Sequence, residues 1–315
     1  RGNGSELQSL DPHIVTGIPE SRVLRALFEG LVALDAETLE PIPAAALSWE
    51  VLDEGMRYRF HLDPEAKWSN GEPVHASDFQ RSIERILTPA LGAAYASQLF
   101  VLKNARGFYQ AEITDFTEVG VKVLGPHTLE LALETPVPYF LSLLVNPPWF
   151  PVHYASVVEE GPWTSRNSEW AKPGKLVSNG PYQLSEWRLN DFLRVTRNPF
   201  FPRPSQFPLD EIVFFPISNI YTEERAFADG LIDITSIVSS QQIRYYLESE
   251  SPDVLQIEPD LGVYYLILNT AKPPLDDPRV RKALSLALER HSISRDIRKR
   301  GEPSAAHFTP AGIGG

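Results

Sequence analysis

Apolar residues recur along the chain with two periods, and each switch from one period to the other marks an element. After Pro19, residues Val23, Leu24, Leu27 and Phe28 share one helical face, and Gly30 can supply the left-handed stop. MRYRFHL at 56–62 alternates instead, with Met56, Tyr58, Phe60 and Leu62 on one side of a strand. Asn70-Gly71 signals a turn. Beyond it, Ser77 and Gln80 fit a capping box for a helix buried through Phe79, Ile83, Ile86 and Leu87. Two alternating runs at 119–134, joined by Gly125-Pro126-His127, read as a hairpin. Strands are expected at 192–198, 211–217 and 263–269, the last apolar throughout as if covered on both faces. Thr222 is expected to cap a short helix whose first turn carries Glu223 and Glu224 and which Gly230 ends. The strongest helix signal is 276–290, with Asp277 as N-cap, Pro278 in the first turn and Val280, Ala283, Leu284, Ala287 and Leu288 as its apolar face. Hairpins mixed with helices predict a multidomain α/β or α+β protein.

A length of 315 residues favours two or three compact units. Hydrophobic and charged fractions of 43% and 22% are those of a chain that folds, not of a disordered one. The formal net charge of −12 repels phosphate backbones and anionic membranes, so nucleic acid is not an expected partner. There is no cysteine, which removes disulfides, zinc thiolates, iron–sulfur clusters and thiol nucleophiles together. FLSLLVNPPWF at 140–150, the greasiest stretch, is broken by Asn146 and two prolines and is too short to span a bilayer. The sequence opens at Arg1 with neither an initiator Met nor an apolar leader core, so a signal peptide is expected to have been removed or to lie outside this sequence.

Markers of catalysis are sparse. The seven histidines show no pair one helical turn apart, so no metal site is expected and loop or surface positions are the simpler reading. No nucleophile elbow, phosphate loop or dinucleotide fingerprint occurs, and no cofactor is expected. Asp53 with Glu54, or Asp276 with Asp277, would serve a carbohydrate hydrolase only if two carboxyls faced each other across a cleft about 5–10 Å wide. Sequence neighbours point apart, and caps or solvated loops are the simpler account. Trp49, Trp68 and Trp187 sit inside patterned segments and are expected in the core, whereas Tyr95, in the small-residue stretch GAAYASQLF, is a ligand-contact candidate.

One ordered series of segments covers essentially the whole chain: GNGSELQSLDPHIVTGIPES (2–21), LFEGLV (27–32), ALSWEV (46–51), YRFHLDPEAKWSNGEPVHASDF (58–79), TLELALETPVPYF (128–140), NGPYQLSEW (179–187), YYLILNT (264–270) and DPRVRKALSLALER (277–290). The series resembles the bacterial periplasmic oligopeptide-binding proteins of ABC importers, within the extracytoplasmic solute-binding family that also holds dipeptide, murein-peptide and nickel binders. The resemblance implies a periplasmic-binding-protein-like α/β fold of two lobes with an extra inserted domain, the type II peptide-binder subclass. Lobe I would comprise residues 1–30 and 154–262, lobe II the inserted residues 31–153, and residues 263–315 the start of a third lobe left incomplete.

It further implies a monomeric, non-catalytic receptor, periplasmic or otherwise extracytoplasmic, free or lipid-anchored. Such a receptor captures extended oligopeptides, murein peptides included, and delivers them to a membrane permease. A secreted carbohydrate hydrolase with an aromatic cleft and paired carboxylates is the alternative. On the matching positions, the resemblance implies ligand-binding roles for Thr16, Gly17, Ile18, Tyr95, Ser236, Ile237 and Tyr265. The backbone of Ile18 would pair with the guest, and Gly17 would let it approach. Thr16 replaces an acidic residue of the relatives, Ser236, Ile237 and Val238 an asparagine-bearing segment, and Ile267 an acid, which implies a more apolar pocket. The acid that captures the guest ammonium would belong to third-lobe sequence beyond this chain.

Overall fold

The computed structural model describes residues 1–248, 254–257 and 262–309. The last residues of the FTPAGIGG stretch, 310–315, lie outside them, as do 249–253 and 258–261 within the expected lobe I. Two compact units are present, Arg1–Ser236 and Ile237–Gly315.

In the first unit, helix α1 (Ile18–Leu27) precedes a short hairpin of β1 (Val32–Leu34) and β2 (Pro41–Pro43). Strands β3 (Ala46–Leu52) and β4 (Arg57–Leu62) follow, then helix α2 (Ala76–Leu87) and the short helix α3 (Ala105–Tyr109). Next come β5 (Val121–Gly125), β6 (Thr128–Ala132) and two more short helices, α4 (Phe140–Leu143) and α5 (Tyr154–Glu159). The unit closes with β7 (Tyr182–Arg188), β8 (Phe192–Arg197), β9 (Glu211–Phe214) and helix α6 (Ile220–Ala228). Strands pair antiparallel in the order β3-β4-β6-β5 in one sheet and β7-β8-β9 in another.

Two separate hydrophobic cores result. The first draws its buried residues from 31–149: Tyr58, Phe60 and Leu62 alternate inward from β4 onto Phe79, Ile83 and Ile86 of α2, with Trp68 sealed beneath. The second draws on 7–28 and 150–214, where Val23, Leu24 and Leu27 of α1 pack with Leu193 and Val195 of β8. Gly180 reaches α1 so closely that a Cβ there would lie 2.6 Å from the Leu27 carbonyl carbon, and its N–H donates to the Leu27 oxygen at 2.8 Å. The side chain of Asn179 clamps Glu29 from both sides, accepting from its N–H at 3.1 Å and donating to its carbonyl at 2.8 Å.

A buried ion pair joins the two cores. Arg85 of α2 is fully buried and donates twice to Asp11, Nη1 to Oδ1 at 2.9 Å and Nη2 to Oδ2 at 2.6 Å. Its Nε donates to the carbonyl of Trp163 at 2.8 Å, and Nη1 lies 3.0 Å from His13 Nδ1. An arginine has only donors, so His13 Nδ1 accepts, and Nε2–H donates to the Phe150 carbonyl at 3.0 Å. That is the neutral imidazole. Burial, reinforced by Arg85, pushes His13 down to about 4. At Asp11 burial pushes upward, but the charge and hydrogen bonds of Arg85 outweigh it and the carboxyl sits below its ordinary value. A second tie runs from Arg203 to Glu29, at 2.7 Å, and to Asp63, at 2.8 Å.

Several local expectations are revised. α2 begins one residue before Ser77: the Asp78 carboxylate accepts from the His75 N–H at 2.8 Å, so the reciprocal cap is built from His75 and Asp78. α6 is capped by Asn219, whose side chain accepts from Tyr221 and Thr222, so the orphan N–H groups are already satisfied before Thr222 is reached. Phe28, in extended conformation, ends α1 before Gly30. Of the expected core tryptophans, Trp68 is sealed, while Trp49 and Trp187 are only partly buried.

In the second unit, helices α7 (Ser240–Glu248) and α8 (Pro278–Ala287) are followed by a helical turn at Arg290–Ser292 and a wider helix at Ile293–Arg298. Asp277 caps α8 as expected, accepting from the Arg279 N–H at 2.8 Å. Segment 263–269 pairs with no strand among the described residues, and Tyr264 and Ile267 are 87% and 84% exposed. The apolar face of α8 is likewise open at Leu284, and Leu288, expected on that face, lies just past the end of the helix and is exposed. Apolar sequence specifies that a face be covered and does not itself supply the cover.

Replacing Arg85 by Met should destabilise the protein by about 3–5 kcal/mol in urea unfolding, because Asp11 is left buried and unpaired. A loss under about 1 kcal/mol would show the pair to be dispensable. For His13 the folded value lies below the unfolded one, 6.5, so the unfolded chain binds the extra proton between pH 6.5 and 4. Its contribution is complete above pH 6.5 and is lost as the pH falls toward 4, by up to about 3 kcal/mol. The stability difference between wild type and His13→Gln should therefore shrink over that interval; parallel profiles would contradict the assignment.

Candidate functional site

The loop before α1 is built on the buried ion pair. Held by Arg85, Asp11 turns the chain as its carbonyl accepts from the Ile14 and Val15 N–H groups at 3.2 and 3.4 Å. Thr16 and Ile18 then emerge exposed, Ile18 to 69%. Pro19 fixes the first helical turn, and Ile18 occupies the first helical position, where an N–H has no intrahelical acceptor. Gly17 has a structural reason of its own. A Cβ there would fall on the carboxylate of Glu20, which is buried and accepts from the Gln8 N–H at 2.9 Å.

Tyr95 comes from the other core. Its segment leaves a turn at Gly92, whose φ of 60° suits a residue without a Cβ. Arg166 Nη1 donates to the carbonyls of Leu91 and Gly92 at 2.8 and 2.7 Å, pinning that turn. The Tyr95 ring is 40% exposed, and its hydroxyl reaches the Thr16 carbonyl at 3.5 Å. Residues 79 positions apart thus meet.

Ser236 joins the same neighbourhood through α1. Its carbonyl accepts weakly from Arg22 at 3.4 Å, one turn along the helix that Ile18 begins. Behind it lies Glu223, fully buried, which takes the Ser236 N–H on Oε1 at 2.9 Å and the Ser236 hydroxyl on Oε2 at 2.8 Å. Sequence reading assigns Glu223 only to the helix dipole, and its partner thirteen positions away leaves no local signal. Ile237 and Tyr265 belong to the second unit, where both are about half exposed and Tyr265 packs edge-on against Phe308 with ring centroids 4.9 Å apart.

Away from these residues, a concavity of about 230 Å³ is lined by Trp68, Glu72, His75, Arg81, His153 and Tyr154. Its polar groups are turned on one another: His153 Nε2 donates to Glu72 at 2.7 Å, and Arg81 lies 5.1 Å from the centre of the Tyr154 ring. No group of three or more histidines and carboxylates that could hold a metal occurs among the described residues. The acid pairs considered for hydrolysis are engaged elsewhere, Asp53 with Arg57 and Asp277 as the cap of α8. Among the described residues no helix is long and apolar enough to cross a membrane.

The family model of bacterial extracellular solute-binding proteins, family 5 (middle), matches residues 40–315. The periplasmic oligopeptide-binding protein OppA of Escherichia coli is 37% identical over 314 residues, covering 98% of this chain and 56% of that protein. A probable deoxycholate-binding periplasmic protein of the same organism, YgiS, is 34% identical over 315 residues, covering 99% and 57%. The solved structure of the Escherichia coli murein tripeptide-binding protein MppA superposes with a TM-score of 0.90 at 34% identity, over 99% of this chain and 59% of that one. The fold is therefore the α/β architecture of these solute-binding proteins, and the chain spans a little over half the length of the relatives it matches.

Gly17→Ala should cost about 1–3 kcal/mol of stability by forcing Glu20 aside. In a Glu20→Ala background the same change should cost little. Equal costs in both backgrounds, measured by chemical unfolding, would show that the carboxylate does not set the requirement.

Proposed function

The chain belongs to the bacterial extracellular solute-binding proteins of family 5, and on that premise we propose that it forms the capturing part of a periplasmic receptor for extended oligopeptides, murein peptides included. The receptor acts as a monomer without making or breaking bonds, and it hands its guest to the membrane permease of an ABC transporter. The observation that carries this reading is the meeting of Tyr95 with the Thr16 carbonyl, an exposed aromatic from one core set against an exposed, backbone-rich loop from the other. An extended peptide offers one donor and one acceptor per residue, and the N–H groups of Thr16, Gly17 and Ile18, which meet no acceptor among the described residues, can pair with guest carbonyls whatever the guest side chains. The ring of Tyr95 adds a large, rigid surface.

In this proposal Thr16, Gly17, Ile18, Tyr95 and Ser236 contact the guest, and Ile237 and Tyr265 are carried as further guest contacts. Lobe I takes residues 1–30 and 154–262, lobe II residues 31–153, and lobe III begins at 263. Two separately packed cores, one from 31–149 and the other from 7–28 and 150–214, support the first two. A guest touching both cores is stabilised by contacts to each, with the Arg85–Asp11 pair holding the cores in one register. The hydrolase reading draws no support from the family. A more apolar guest is a second reading, favoured by Ile237, Val238 and Ile267 at the expected wall and by the deoxycholate named for one relative.

Titration calorimetry of the full-length protein against trialanine, murein tripeptide and deoxycholate tests the reading. Peptide binding is expected, and Tyr95→Ala should weaken it by about 1–3 kcal/mol. Binding of deoxycholate alone would replace the peptide with the apolar guest, and an unchanged peptide affinity would demote Tyr95 to scaffold.

A further inference from the structure

A fully buried carboxylate whose two oxygens both serve one residue is a costly arrangement unless that residue must be held in one way. Glu223 is such a group. Its Oε1 takes the Ser236 N–H at 2.9 Å and its Oε2 the Ser236 hydroxyl at 2.8 Å. The pocket around it is closed on another side by Gly2, where a Cβ would overlap Oε1, and Gly2 is itself fixed by its N–H to the Ile234 carbonyl at 2.8 Å. Segment 234–236 is thereby gripped at both ends.

The grip has a chemical consequence. A carboxylate offers only acceptors, so the Ser236 hydroxyl must spend its single proton on Glu223. The N–H is spent as well. What Ser236 has left is its hydroxyl lone pairs and its carbonyl, the latter engaged only by Arg22 at 3.4 Å among the described residues. We infer that Glu223 is a positioning residue that makes Ser236 an acceptor-only contact, one that selects guest N–H or ammonium donors and rejects carbonyl and carboxylate oxygens. This inference rests on the proposed role of Ser236 in holding a peptide. It assigns to this wall the donor face of the guest backbone.

Glu223→Gln tests the polarity. The glutamine oxygen can still accept from the Ser236 N–H, but its amide nitrogen then donates to the hydroxyl oxygen and turns the hydroxyl proton outward, converting the contact from acceptor to donor. Hydrogen exchange of residues 232–238 is measured first, on ligand-free full-length protein. Protection should persist in Glu223→Gln and fall at least about tenfold in Glu223→Ala; should the alanine variant not fold, Glu223→Asp, one methylene too short, is read in its place. Unchanged exchange in the shortened variant would overturn the positioning role.

Trialanine affinity is measured second. Glu223→Gln should lose at least about fivefold, Ser236→Ala at least about threefold, and the double variant should bind no more weakly than Ser236→Ala alone. Additive losses would mean that Glu223 does not act through the hydroxyl and would overturn the inference. If wild type binds no peptide, the guest contact falls together with the proposed function, while the exchange data still decide whether Glu223 holds the segment.

Discussion

The first unit depends on one buried ion pair. Arg85 cannot shed its charge, and placing it between two hydrophobic cores is tolerable only because every face of the guanidinium is met: Asp11 twice, the His13 ring nitrogen, the Trp163 carbonyl, and the rings of Trp163 and Trp170 at 5.3 and 5.9 Å. Such a pair contributes little net stability compared with apolar packing, but it admits few alternative geometries. It therefore sets how α2 of one core meets the loop that leads into α1 of the other. Hydrophobic burial makes each core stable; this polar contact, with the Arg203 tie to Glu29 and Asp63, sets their register.

The first-unit segments of the candidate site share a construction. Each is held from behind by a buried or clamped polar group: the 14–18 loop by Asp11, the N-terminus of α1 by Glu20, the Tyr95 turn by Arg166, and Ser236 by Glu223. Exposed side chains that are to meet a variable guest, as proposed above, cannot be fixed by that guest before it arrives, so their positions have to be set by the protein. Backbone groups do most of the presenting, which suits recognition by main chain.

Sequence pattern discloses the local elements well. β4, the β5–β6 hairpin and the Asp277 cap stand where alternation and capping chemistry put them, because each depends on residues within a few positions. The caps at His75 and Asn219 escape the pattern, since several polar residues compete for one role and only three-dimensional geometry chooses among them. Thr16 is reached through family resemblance rather than physics, and for Tyr95 a small-residue setting gives only a hint. Arg85 and Glu223 are invisible as organisers, one an ordinary polar position of an amphipathic helix and the other an ordinary first-turn acid, because their partners lie 74 and 13 positions away.

The run Val263–Asn269 carries a hazard of its own. Seven uncharged residues rich in β-branched, aromatic and aliphatic side chains, free of proline and without a paired neighbour among the described residues, form the kind of stretch that seeds intermolecular cross-β stacking. The nearest charges along the chain, Asp260 before it and Lys272 after it, flank the run and do not interrupt it. While it is uncovered, such a stretch favours intermolecular pairing, and the open apolar face of α8 adds to that tendency.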